Sequence, residues 1–233
     1  MLQLDQVQMG QGGFALTADW QVAAPRRVAV IGPSGAGKST LLDVIAGFAP
    51  PRKGTVRLNG RDVTGLAPAG RGVSILFQDN NLFPHLTIAQ TLTLALRPRG
   101  GRLTTAQTDR MQHALAQVDL AGMGARRPSE LSGGQISRAA LARVLVQDHP
   151  VLLLDEPFAA LGPGLRADLL DRVSDLVAQT QKLCLMVTHD PQDAARFAQD
   201  VVLVANGQAA RPVASKAFFA NPPAAFSDYI GHA

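Results

Sequence analysis

Short apolar runs alternate with amphipathic stretches along most of the 233-residue chain. "RVAVI" at 27–31 is continuously apolar after its first residue and ends at Gly32, the pattern of a buried strand. From Lys38 to Ile45 the apolar spacing turns helical. "GTVRLNG" at 54–60 alternates with period two and closes on an Asn-Gly turn, which predicts a strand leading into a tight turn. "GVSILFQ" at 72–78 predicts another strand. Between Leu86 and Gln147, Ala, Leu and Gln dominate and the pattern is helical, broken at "RPRGGR" (97–102) and "GMGARRP" (122–128). "VLLL" at 151–154 returns to a buried strand, and Leu165, Leu169, Val173, Leu176 and Val177 then recur at helical spacing over 165–180. "LCLMV" and "VVLVAN" predict two further strands, with the charged helix "DPQDAARFAQ" between them. The first 25 residues read as short strands around the turn-prone "GQGG".

This alternation of strand and helix predicts an α/β layer fold with a mainly parallel core sheet and an N-terminal β part. The helical region, about 86–147, reads as a subdomain inside one domain spanning 1–233. No Gly/Ser/Pro tract is long enough for a linker, and the tail 212–233 is expected to pack as a short appendix, not as an added C-terminal domain. A hydrophobic content of 46% against 17% charged residues suits a folded, soluble domain with a sizeable core. No apolar run approaches the ~20 residues that span a bilayer, and the first ten residues carry no signal-peptide pattern. The single cysteine, Cys184, excludes an internal disulfide and lies in the apolar "LCLMV", so a core position is expected. The five histidines show no zinc-like spacing. A net charge of +4 comes from basic residues that are paired in "APRR" and "GARR" but never form a tract, which predicts a solvated surface and no nucleic-acid partner.

Chemistry enters with "GPSGAGKST": Gly32, Pro33, Ser34, Gly35, Ala36, Gly37, Lys38, Ser39 and Thr40. The stretch satisfies the phosphate-loop pattern G-x-x-x-x-G-K-[ST] and sits between a predicted strand and a predicted helix, the context that confirms it. Its backbone N–H groups and the helix N-terminus cradle phosphate oxygens. Lys38 is expected to reach the β- and γ-phosphates of a bound nucleotide, and Ser39 to ligate Mg2+. "VLLLDEP" at 151–157 supplies Asp155 at the end of a buried strand, where a carboxylate can hold magnesium directly or through water. Glu156 follows immediately and is suited to polarising an attacking water. A second glycine pair, in "LSGGQ" at 131–135, precedes the helical run "ISRAALARVLVQ". Ser132 can cap that helix, while Gly133 and Gly134 expose backbone N–H groups beside Gln135, so the stretch is either a second anion site or a simple helix cap.

Together these motifs resemble the ATP-binding subunits of ABC transporters over nearly the whole chain. The markers are Gly32–Thr40, Gln78 after a strand, Leu131–Gln135, Asp155–Glu156, and His189 in "VTHD". The resemblance implies a P-loop NTPase of the ABC ATPase type that uses ATP and Mg2+. It also implies a head-to-tail dimer in which each signature loop contacts the γ-phosphate held by the partner, so the two glycine loops serve different nucleotides. Gln78 is similar to the glutamine that approaches magnesium and senses the membrane subunits. Glu156 matches the general base and His189 the switch histidine at the γ-phosphate. Such a subunit sits peripherally on the cytoplasmic face of a membrane, beneath a multi-span permease fed by a solute-binding protein.

"GPSGAGKSTLLDVIAGF", "ILFQDNNLFPHLTIAQ" and "LLLDEPFAAL" are more closely similar to the ATPases of thiamine and thiamine pyrophosphate importers. ATPases of iron(III), polyamine, sulfate or molybdate importers have broadly similar sequences, and a weakly hydrolysing nucleotide-dependent scaffold fits the same motifs. Three departures stand out. "MGQG" at 9–12 lacks the aromatic that stacks on adenine, with Phe14 lying later; Gly162 replaces an aspartate in the loop after Glu156; Ile136 and Ser137 follow the signature where a basic residue and a glutamine are usual.

Overall fold

The computed structural model describes residues 1–10, 12–79 and 82–230. Gln11 of the predicted "GQGG" turn, and Asn80 and Asn81 of the stretch after Gln78, lie outside the described residues.

Two strands, β1 (Leu2–Met9) and β2 (Leu16–Val22), pair antiparallel on either side of that turn. β3 (Arg26–Ile31) follows and leads into helix α1 (Lys38–Ala46). β4 (Lys53–Leu58) turns at Asn59–Gly60, both with positive φ, into the two-residue β5 (Arg61–Asp62). The predicted strand at 72–78 is shorter than expected: β6 spans Val73–Leu76. Among the described residues β6 is the last strand in the sheet and pairs only with β7 (Val151–Asp155), in a register that ends at Leu76↔Leu154. Phe77 and Gln78 therefore have no ladder partner and leave the sheet.

The helical region resolves into α2 (Ile88–Leu96), α3 (Thr105–Gln117) and α4 (Gly133–Gln147). Each starts at a hydroxyl N-cap, Thr87, Thr104 or Ser132, with a glutamine three residues on, and each pair closes a capping box. α5 (Pro163–Thr180), β8 (Leu183–Val187), α6 (Pro191–Phe197) and β9 (Asp200–Ala205) complete the alternation. The sequence pattern did not announce β10 (Gln208–Ala209), β11 (Val213–Ala214), α7 (Ser215–Ala220) or α8 (Ala224–Ile230). These pieces form the appendix expected for the tail, and the edge-on rings of Phe218 and Phe226 bury it against the core.

The strand order is β5-β4-β1-β2-β10-β9-β3-β8-β7-β6. From β9 to β6 all pairings are parallel, and β5, β4, β1 and β2 form the antiparallel part. Successive side chains of a strand face opposite ways, and two cores use both faces of the parallel sheet. Val28, Val30, Val151, Leu153, Leu183 and Leu185 pack with α1 and the antiparallel strands. Ala29, Ile31, Leu152, Leu154, Cys184 and Met186 pack with the helical subdomain and α5. Burial on both faces explains why these strands read as unbroken apolar runs.

Candidate functional site

In a parallel sheet the connections leaving the carboxyl ends of the strands converge on one edge, and ligands bind there. This chain sends its motifs to that edge. The phosphate loop follows β3, Gln78 follows β6, Asp155 ends β7, and His189 follows β8 by two residues.

The loop folds tightly from Gly32, with the Ala36 N–H donating to the carbonyl of Pro33 at 3.2 Å. Gly37 is the N-cap of α1 at φ 102°, ψ 18°, where an L side chain is strained. A β-carbon there would also collide with the ring of Phe14. Glycine thus does two things: it turns the chain into the helix, and it lets Phe14 approach. No side chain caps α1, so the first N–H groups of the helix point into the cradle. Ser34 and Gly35 are exposed at its rim, Pro33 and Thr40 half-buried.

Lys38 is buried, and its ammonium donates to the carbonyls of Gly32 at 2.8 Å and Pro33 at 2.9 Å. Burial pushes its pKa below the ordinary lysine value, against the opposing pull of the Glu156 and Asp155 charges. Asp155 accepts a long hydrogen bond from the Ser39 hydroxyl at 3.4 Å. Burial holds the Asp155 carboxyl above the usual range, the Ser39 bond lowers it, and the Glu156 and Asp43 charges raise it again. An acid and a hydroxyl from distant parts of the chain therefore face each other at the mouth of the loop, beside a buried cation. Hard oxygen donors of this kind suit magnesium, which takes one or two carboxylates and completes its sphere with water and phosphate.

Glu156 adopts φ 45°, a left-handed conformation uncommon for glutamate, while its N–H donates to the carbonyl of Val187 at 3.0 Å. That turn sends its carboxylate toward the loop after β8, where His189 Nδ1 lies 2.9 Å from Glu156 Oε2. An ionised carboxylate only accepts, so in that state of Glu156 the donor in this contact is Nδ1.

Five of the predicted site residues, Lys38, Ser39, Asp155, Glu156 and His189, thus form one cluster. Gln78 is exposed past the end of β6, next to Phe77, whose ring packs on Phe48 at 5.7 Å. The contacts of Ser132–Gln135 lie elsewhere. Ser132 and Gln135 cap α4 by bonding each other, and the Gln135 amide reaches Met123 Sδ at 3.8 Å. Gly133 has open space where a side chain would stand, while a β-carbon on Gly134 would meet Leu165 of α5 at 2.5 Å. Phe14, the late-lying aromatic of the sequence, stands beside the phosphate loop at Gly37. The residue sequence reasoning missed is Arg166, which reaches the loops on both sides of the Glu156–His189 pair, and nothing in its spacing marks it.

Comparison with known proteins places this geometry. The model of the ABC transporter family matches residues 17–159. The thiamine import ATP-binding protein ThiQ of Cereibacter sphaeroides is 53% identical over 231 residues, covering 99% of this chain and 100% of that protein. The ThiQ of Ruegeria sp. is 49% identical with the same coverage. Among solved structures, the ADP conformation of MJ1267, an ATP-binding cassette of an ABC transporter, superposes with a TM-score of 0.88 at 25% identity, covering 99% of this chain and 98% of that one. The dimeric bacterial ABC transporter cassette MJ0796 superposes with a TM-score of 0.77 at 26% identity, covering 92% and 99%.

Proposed function

Because the chain belongs to the ABC transporter family of ATP-binding proteins, we propose that it is the ATP-hydrolysing subunit that powers thiamine import through a membrane ABC transporter. The observation that carries the solute is the 53% identity to a thiamine import ATP-binding protein across 99% of this chain. The clustering of a buried lysine, a Ser–Asp pair and a Glu–His pair at the carboxyl edge of the sheet supports the ATPase chemistry.

In this reading Gly32–Thr40 bind the phosphates through backbone N–H groups, and Lys38 offsets their charge. Ser39 and Asp155, with Gln78 from the loop after β6, would hold magnesium, and the ion would offset charge on the transferred phosphoryl group. Glu156 accepts the proton of the attacking water. Its bond to His189 orients the carboxylate and keeps a proton on Nδ1. Ser132, Gly133, Gly134 and Gln135 serve the nucleotide of a second copy, since their own contacts are to one another, Met123 and Leu165 and not to Lys38 or Asp155. The working unit is then a head-to-tail pair of cassettes beneath a permease, with a solute-binding protein delivering thiamine from the far side. Each cassette is one domain over 1–233 that includes the helical subdomain. Among the described residues no helix is long and apolar enough to cross a membrane, which is compatible with a peripheral position on the cytoplasmic face.

The test is reconstitution with the permease and binding protein in liposomes. ATP-dependent uptake of labelled thiamine, with ATPase turnover that rises when thiamine is supplied, is the expected result. Turnover stimulated by another solute and not by thiamine overturns the choice of solute. A protein without magnesium-dependent turnover overturns the ATPase reading.

A further inference from the structure

The loop after Glu156 and the turn carrying His189 come from different strands, yet one side chain holds both. Arg166 stands in the first turns of α5, with only 20% of its side chain exposed. Its Nη1 lies 3.1 Å from Asp190 Oδ2 and 3.5 Å from Asp193 Oδ2. Its Nη2 donates to the carbonyls of Ala159 at 3.3 Å and Leu161 at 3.4 Å. The partners on one side belong to the His189–Asp193 stretch, and those on the other to the loop between Glu156 and Gly162. Asp190 is itself fixed, because it caps α6 by accepting from the Gln192 N–H at 2.8 Å and its own N–H donates to Thr188 Oγ1 at 3.0 Å.

A small cavity of about 10 Å³ lies at the junction, and Glu156, Phe158, Arg166, Thr188, His189 and Asp193 all contribute to its wall. Burial, together with the Asp190 charge, pushes the Asp193 carboxyl up, and Arg166 opposes that push. The guanidinium is thus the cation shared by two carboxylates, and also the donor that carries two loop carbonyls. A planar fork can do both at once; an ammonium, a single compact charge, cannot span four acceptors in this arrangement. Gly162 supplies no carboxylate to brace the loop, so this connection runs through backbone carbonyls.

We propose that Arg166 is a positioning residue for hydrolysis: it locks the loop after Glu156 to the His189 turn and so sets the approach of His189 to Glu156. The inference rests on the ATPase reading above. The long bonds of Arg166 to the loop carbonyls are weak taken alone, and their effect lies in adding a second tie between segments already joined by the Glu156 N–H bond to Val187 and the Glu156–His189 contact. Loosening them spreads the positions of Glu156 and His189 without touching the phosphate cradle. The defect therefore belongs in kcat and not in nucleotide affinity.

The experiment uses full-length protein and compares the parent with Arg166→Lys, Asp193→Asn and His189→Ala. Parent turnover with magnesium and ATP comes first; its absence counts against the ATPase reading and not against Arg166. With an active parent, Arg166→Lys is expected to lower kcat five- to twentyfold while KM for ATP stays within twofold. In the His189→Ala background the same substitution is expected to cost less than twofold, because the residue acts through that histidine. Asp193→Asn replaces the charged carboxylate beside Arg166 with a neutral amide at nearly constant volume, and a fall in kcat at constant KM is expected there too. It decides the question should Arg166→Lys fail to fold. A folded Arg166→Lys protein with parental kcat overturns the proposal, as does a loss that appears in KM. An equal loss with and without His189 also overturns it.

Discussion

Glu156 is held in a backbone conformation that glutamate rarely adopts, at φ 45°. Such strain persists only where the surroundings enforce it, and here the Val187 carbonyl and the His189 ring do so. A group held this firmly should be separable from binding. Glu156→Gln keeps the shape and the accepting oxygen but not the base. Steady-state assays are expected to show turnover falling by about 10²–10⁴-fold, with ATP affinity unchanged in equilibrium binding. Activity within twofold of the parent would remove the residue from the role. The base of the nucleotide is a second matter. The stretch 9–12 offers no aromatic, and the Phe14 ring is engaged against Gly10 and Gly37 and packs onto the antiparallel core. ATP and GTP are therefore expected to bind within roughly tenfold of each other, since stacking tolerates every base and supplies little discrimination between purines. A preference of a hundredfold in competition binding would mean that hydrogen-bonding groups read the edge of the adenine. Lys38, Ser39 and Asp155 were legible as residues because their motifs are local. The 2.9 Å contact between Glu156 and His189 spans 33 positions, and no local pattern encodes it beyond the family resemblance.

Elements were legible where one physical signal dominated. The helical region 86–147, the Ser132 cap of α4 and the doubly buried strands were read from the sequence, while the capping boxes at Thr87 and Thr104 that open α2 and α3 were not. The two-residue strands β10 and β11 were not, because they exist only through long-range pairing, β10 with β2 and β9, and β11 with β9. Gly162 shows how an element changes a reading. Its missing side chain suggests a loosened loop, yet the residue sits at φ −63°, ψ 155°, an ordinary extended N-cap for α5, with Pro163 setting the first helical φ. No side chain caps α5, and a β-carbon on Gly162 meets nothing within 4 Å. Aspartate fits that position and can accept from the first turn of the helix. Gly162→Asp is expected to stabilise the protein by a few tenths of a kcal/mol, the usual gap between glycine and aspartate as caps, seen as a small rise in Tm. At saturating ATP its turnover is expected to rise several-fold with the binding constant unchanged, because the new carboxylate braces the loop that follows Glu156. Equal turnover in both proteins would show that the carbonyl contacts of Arg166 already suffice.

At the scale of the whole molecule, the mainly parallel sheet followed from the alternation of strands and helices, but the joining of its two parts did not. The antiparallel strands attach through β10, which pairs parallel with β2 and antiparallel with β9, a connection made late in the chain by residues without a strong pattern. Cys184 reports on this assembly. It is buried in β8 between β3 and β7, and burial pushes its thiol pKa up. Its alkylation under native conditions is expected to be limited by global unfolding, with a rate that falls as ligand stabilises the fold. Modification as fast as in urea would place the centre of the sheet among the easily opened parts. The assembly also sets the last expectation. The signature at the start of α4 contacts Met123 and Leu165, while Lys38 and Asp155 gather at the carboxyl edge of the sheet. In the proposed reading the signature serves the site of a second copy. A nucleotide that is bound but not hydrolysed should hold the two copies together through phosphate contacts from both. In light scattering, the Glu156→Gln protein is expected to be a monomer alone and to double in mass with ATP and magnesium. High salt should weaken that dimer, because charge and backbone donors hold it. A mass that stays monomeric at saturating ATP, even with the permease present in detergent, would mean that the signature does not act across two copies.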